Sequence, residues 1–210
     1  MPSDNKSYVH PKTGNLVTAK GRILWNSVFK PRKAKGGKEG KHEFNLLFPK
    51  DADHAALKEA AVEAGKEKFP KAFKDAGGKW PSSIKTPFKR TADNDKLVAA
   101  LEAADLKVED FPVFLAARSN DRPGLVGPNG KSDGIEQEHV YAGRWARMTL
   151  DVFGYDAEGN KGVSFGLKNI QLLDNDDELT IGGGRVSAES EFDAVEGAGD
   201  DSKSADALFD

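Results

Sequence analysis

The stretch Val140-Tyr141-Ala142-Gly143-Arg144-Trp145-Ala146-Arg147-Met148-Thr149-Leu150-Asp151-Val152-Phe153-Gly154 decides the fold. Ala146, Met148, Leu150 and Val152 alternate with Trp145, Arg147, Thr149, Asp151 and Phe153, the period-two pattern of a strand with one face turned inward. Tyr155-Asp156-Ala157-Glu158-Gly159-Asn160 supplies a hairpin turn, and Lys161–Leu173 returns as the last strand. Upstream, Thr18–Phe29 is strand-like in its β-branched and aromatic residues. Glu43–Phe48 places Phe44, Leu46 and Phe48 on one face, and Phe111–Arg118 is an apolar strand.

Between the second and third of these strands the chain changes period. Pro49-Lys50-Asp51 stops a strand, Asp51 or Asp53 can cap a helix, and the alanine-rich run Ala52–Lys68 has high helix propensity. Leu57, Ala60, Ala61 and Ala64 form its apolar stripe. Asp95–Ala104 predicts a second, shorter helix. Residues 70–95 read as irregular, and Asn120–Lys131, with its glycines and prolines, reads as a loop. Strands without regular crossover helices argue against a parallel doubly wound sheet. The expectation is a mainly β fold with inserted helices, an OB-fold-like five-stranded barrel.

Length and charge narrow the function. The 210 residues carry 31 Lys and Arg against 34 Asp and Glu, a net charge of −3, and no cysteine. Disulfides, thiolate metal sites and cysteine nucleophiles are therefore excluded. No stretch approaches the ~18 apolar residues of a membrane span, and Met1-Pro2-Ser3-Asp4-Asn5-Lys6, with no apolar segment behind a basic one, is not expected to begin a secretory signal. The near-neutral total hides a polarised chain. Asp174–Asp210 holds twelve acids against Arg185 and Lys203, a net −10, so the first 173 residues carry +7. A basic body with an acidic tail is the pattern of an anion-binding domain with an interaction tail. The tail, poor in large apolar residues until Leu208-Phe209-Asp210, is expected to be disordered. Three segments follow: a flexible arm over 1–15, a domain over 16–182 and the acidic tail over 183–210.

Cations and rings are interleaved. The first hairpin carries Lys20, Arg22, Trp25, Lys30, Arg32, Lys33, Lys35, Lys38 and Lys41, the last six within a glycine-rich loop. The later strands add Tyr141, Arg144, Trp145, Arg147, Phe153, Tyr155 and Lys161. Cations that follow phosphates and flat rings that stack on unpaired bases are what a sequence-tolerant single-strand binder needs. If Ala146, Met148, Leu150 and Val152 face the core, Trp145, Arg147 and Phe153 share the opposite face, where Trp145 either belongs to a binding surface or packs under the helix or a loop; Trp25 is equally open, a binding ring or core with Ile23 and Phe29. Catalytic patterns are weak. His10, His42, His54 and His139 have no zinc spacing, and Gly36–His42 fails the phosphate-loop pattern at Lys35 and His42. Asp151, Asp156 and Glu158 read as a solvated turn. No metal and no cofactor is expected.

Tyr141-Ala142-Gly143-Arg144-Trp145 and Asn160-Lys161-Gly162-Val163-Ser164-Phe165-Gly166-Leu167-Lys168-Asn169-Ile170-Gln171 resemble the C-terminal signature of a phage single-stranded DNA-binding protein family. Phe44–Asp51 with its following helix, Ala117-Arg118-Ser119, Pro123–Val126 and Gly130 are similar as well, and the likeness spans roughly residues 14–182. The resemblance implies an OB fold, coating of single strands, no catalysis and a role in phage replication or recombination in the host cytoplasm. It also implies a tail that engages replication partners, here through Asp200, Asp201, Asp206, Leu208, Phe209 and Asp210, although Phe209 is penultimate. Physically, a tethered polyanion beside a cationic groove competes with DNA. The alternatives are a protein-interaction module or an RNA-binding module without preference for single-stranded DNA. Self-association through a strand edge or the arm is left open.

Overall fold

The computed structural model describes residues 4–31, 40–173 and 181. Its strands are β1 (Tyr8–Val9), β2 (Leu16–Val17), β3 (Gly21–Asn26), β4 (His42–Phe48), β5 (Phe88–Arg90), β6 (Val113–Ser119), β7 (Gly124–Val126), β8 (Trp145–Ala157) and β9 (Asn160–Leu172). The helices are α1 (Ala55–Lys68), α2 (Pro70–Asp75) and α3 (Asp95–Glu102). The fold is mainly β with few helices, as the alternation predicted.

The five long strands pair in a closed circuit. β3 lies antiparallel to β4 and β8, β4 to β6, and β8 to β9, while β6 and β9 meet in parallel at Arg118 and Gly166. The hairpin between β8 and β9 is tighter than expected. Tyr155, Asp156 and Ala157 stay in the ladder, and only Glu158 and Gly159 turn, with φ of 52° and 82°. Two successive positive φ values give the mirror-image turn whose twist matches that of the strands it joins.

Four short strands modify the expected scheme. The stretch 1–15, expected as a flexible arm, is stitched to the body over its described part: β1 pairs with β2, β2 with β8, and Ser7 N–H donates to the Asp53 carbonyl at 2.8 Å. Residues 70–95 contain α2 and β5, and β5 pairs with β6. The loop expected over 120–131 contains β7, parallel to β9. Each is short, and β2, β5 and β7 are completed by partners distant in sequence, so local composition carried little sign of them.

The core has two compartments. Phe44, Leu46 and Phe48 of β4 join Leu115, Met148, Leu150 and Phe165 inside the circuit, closed at one end by Leu57 and Ala61 of α1 and Phe73 of α2. The N-cap of α1 is His54, which makes no side-chain capping bond; Asp53, expected as a cap, stands one residue earlier, where its Oδ1 accepts from Ala55 N–H at 2.8 Å. Gly65 lets α1 approach α2, because a Cβ there would stand 2.6 Å from the Phe73 ring. Leu47, between two inward residues of β4, belongs to the second compartment with Leu24, Leu97, Leu101, Phe111, Phe114, Trp145 and Ile181. α3 thus covers part of the outer face, and that face is apolar where it does so.

Candidate nucleic-acid interface

The cations and rings singled out by sequence separate into three groups. The first is internal. Arg22 is buried; its Nη1 donates to the Gly143 carbonyl at 3.0 Å, and its guanidinium lies 4.0 Å from the Trp145 ring centre. Lys20 approaches the same ring at 5.0 Å. Trp145, for which the sequence left open an outward binding face or packing under the helix or a loop, is 9% exposed within the second compartment. Arg144 donates through Nε to the Leu173 carbonyl and through Nη1 to the His139 carbonyl, both at 3.2 Å, and lies 5.9 Å from the Tyr141 ring. Gly143 N–H donates to Ile23 and Ile23 N–H to Arg144, so residues 141–145 extend the β3 ladder. This segment works as a clasp between β3, β8 and the end of β9.

The second group is on the surface but engaged. Arg147 Nε donates to Gln171 Oε1 at 2.8 Å, and its Nη1 lies 3.5 Å from Asp4. Gln171 in turn donates to the carbonyls of Gly127 and Pro128, which ties the β7 loop to β8. Lys168 pairs with Asp151 at 2.8 Å, and that hydrogen bond raises the lysine pKa above its ordinary value.

The third group is open. Trp25 is half-buried, with its ring edge-on to Phe114 at 6.0 Å. Lys30 and Lys41 are exposed at the two described ends of the basic loop, and Arg122 covers Phe29 at 5.2 Å. Phe153 is 47% exposed. Arg32, Lys33, Lys35 and Lys38, and the tail residues Asp200, Asp201, Asp206, Leu208, Phe209 and Asp210, lie outside the described residues.

Beside these open residues is a groove of about 210 Å³ that sequence reasoning missed in part. Lys85, Lys89, Arg118 and Tyr155 line it, and no described carboxylate does. Several elements build it. The Lys85 N–H donates to Lys161 and the Lys85 carbonyl accepts from Val163, each at 3.0 Å, which fixes the segment before β5 along β9. β5 then places Lys89 opposite Phe114, whose ring it approaches at 5.5 Å. Tyr155 pairs with Gly162, and its ring lies over that glycine so closely that a Cβ would meet Tyr155 Oη at 2.6 Å. Arg118 is held by Glu43, Nε to Oε2 at 2.7 Å. Glu43 opposes Arg118 across the β4–β6 ladder, so the groove continues toward the end of β4 where the basic loop rejoins the sheet. Cations around a ring, with little opposing charge, suit a polyanion that carries flat bases. Among the described residues no group of three histidine or acidic side chains stands close enough to hold a metal ion.

Comparison with known proteins follows the same line. The family model described as Enterobacter phage Enc34, ssDNA-binding protein, matches residues 14–205. Protein p50 of Acyrthosiphon pisum secondary endosymbiont phage 1 is 26% identical over 175 residues, 82% of this chain and 89% of that protein. The structure of the single-stranded DNA-binding protein from bacteriophage Enc34 in complex with ssDNA superimposes with a TM-score of 0.56 at 20% identity, covering 82% of this chain and 92% of that one. Gp2.5, a single-stranded DNA-binding protein encoded by bacteriophage T7, gives a TM-score of 0.53 at 13% identity, covering 77% of this chain and 92% of that one. At these identities the two superpositions speak for a shared fold.

Proposed function

The chain belongs to the phage single-stranded DNA-binding family of the Enc34 protein, and from that premise we propose that it binds unpaired DNA without strong sequence preference and catalyses no reaction on it. The observation that carries this is the groove of Lys85, Lys89, Arg118 and Tyr155, whose lining holds no described carboxylate and in which Arg118 is paired with Glu43 while Lys85 and Lys89 have no ion-pair partner among the described residues. Phosphates pair with the three cations. A base stacks on Tyr155, and half-buried Trp25 and exposed Phe153 are further rings that can do so. Arg22 and Trp145 act from below: they hold the strands that carry the surface. We read the circuit of five long strands as an OB-type sheet, of the kind that binds oligonucleotides through one face and its loops.

The finer reading extends to the rest of the chain. Lys30 and Lys41 with Arg32, Lys33, Lys35 and Lys38 supply further phosphate contacts, and the protein acts in phage replication or recombination in the host cytoplasm. The segment 183–210, rich in acids, competes with DNA for the basic surface and is released to replication partners when DNA binds. Anisotropy of a labelled oligo(dT) at low salt tests the core claim: saturable binding is expected, and no binding refutes it. Deleting residues 186–210 should tighten that binding most at low salt, where screening is weakest. Equal affinity of full-length and truncated protein at low salt would remove the competition while leaving DNA binding in place.

A further inference from the structure

Next to the groove of Lys85 and Tyr155 lies a second and larger one, about 400 Å³, at the corner between α1 and α2. Its rim carries Lys68, Lys71 and Lys161, with Asp75 the one described carboxylate, and its lining includes buried Phe69 and Ile84. The two grooves flank one short ladder. Ser83 and Ile84 line the corner groove, and Lys85 and Thr86 line the other. On β9, Lys161 faces the corner and Val163 and Ser164 the first groove. Two to three residues of strand separate them, roughly 7–10 Å at the rise of a β-strand.

The lysines are arranged as ligand groups. Lys68 and Lys71 are exposed and have no ion-pair partner among the described residues, and Lys161 has only the solvent-exposed Asp156 at 3.6 Å. An exposed pair of that kind is worth little and is readily exchanged for another anion. The shape is also fixed. Trp80 Nε1 donates to the Ile84 carbonyl at 2.7 Å, and Trp80 packs edge-on against Phe73 at 5.6 Å. An apolar floor under a cationic rim accommodates both parts of a nucleotide, the base and the phosphate.

We propose that the α1–α2 corner is a second nucleotide subsite on the same DNA strand, entered by the chain as it leaves the Lys85–Tyr155 groove across the ladder between residues 83–86 and 161–164. This rests on the single-strand reading above. The consequence is length dependence. A short oligonucleotide fills the first groove alone, whereas a longer one also reaches Lys68 and Lys71.

The test compares full-length protein with the Lys68→Ala/Lys71→Ala variant on oligo(dT) from about 2 nucleotides, too short to fill both grooves across the roughly 7–10 Å of ladder, to about 16, the upper site size of one such domain. On the shortest strand the two should bind alike. On the longest, loss of two phosphate contacts should flatten the log–log salt slope by about 1.4, which narrows the gap from wild type by about sevenfold between 50 and 200 mM salt. Identical binding at every length would overturn the subsite. So would an equal loss at the shortest length, since the corner would then belong to the first contact. If wild type bound no oligo(dT) at all, the single-strand reading itself would fall.

Discussion

Removing the two lysines of the first groove gives a quantity that can be worked out in advance. Lys85 and Lys89 are exposed, and neither has an ion-pair partner among the described residues. Lys89 has only the Phe114 ring at 5.5 Å. Alanine at both positions therefore removes charge without stranding a buried partner, and surface changes of this kind stay within about 0.5 kcal/mol of wild-type stability. If each lysine releases one counterion-equivalent on binding a single strand, each contributes about −0.7 to the slope of log K against log salt. The double variant should have a slope shallower by about 1.4. From 50 to 200 mM salt the wild type should then lose about seven times more affinity than the variant loses. Fluorescence anisotropy with a labelled oligo(dT) at four salt concentrations measures both slopes. Parallel slopes, with a thermal melt that matches wild type, would refute the assignment of this groove to phosphate.

Three further outcomes follow from the core. His54 is buried between Phe48 and Phe88, and desolvation lowers its pKa to about 4. The unfolded chain therefore takes up a proton near pH 6.5 that the folded chain refuses, so stability falls with pH from about 6.5 toward 4, by about 2 kcal/mol between pH 7 and 5. Melting curves of His54→Phe should lose that dependence, and an unchanged pH profile would remove His54 as its origin. Trp145→Ala should cost about 3–5 kcal/mol and lower Tm by about 10 °C or more. Wild-type Tm with weakened DNA binding would show instead that the ring is a contact. Gly65→Ala gains up to about 1 kcal/mol of helix propensity but forces a methyl onto the Phe73 ring, an overpacking of about 1–3 kcal/mol, so a lower Tm is expected and a higher one contradicts the close approach.

The long strands were legible because their faces differ. Ala146, Met148 and Leu150 are inward, as the alternation required. Trp145 shows where the same pattern misleads. It is on the opposite face from Ala146, but there it belongs to the second compartment with Lys20 and Arg22 over its ring, and alternation cannot distinguish an outer surface from a second core. The motif around it carried the family likeness and proves to be a clasp, with Arg22 and Arg144 spent on backbone carbonyls. Lys85 and Lys89 escaped notice for a different reason. They flank Pro87 in a stretch whose only strand is three residues long, and the groove gains its meaning from Arg118 and Tyr155, which are distant in sequence. Tyr155 itself was visible as a ring beside a turn, and Gly162, against which it lies, is the position that makes room for it.

The most direct measurement is a competition between unlabelled oligo(dT), duplex DNA and RNA of equal length for protein bound to labelled oligo(dT), at a low and a high salt concentration. Oligo(dT) should displace the label at far lower concentration than duplex, whose bases are already stacked, and raising the salt should weaken every competitor. Duplex competing as well as oligo(dT) would show that the protein reads charge alone, and a single-strand binder it would not be.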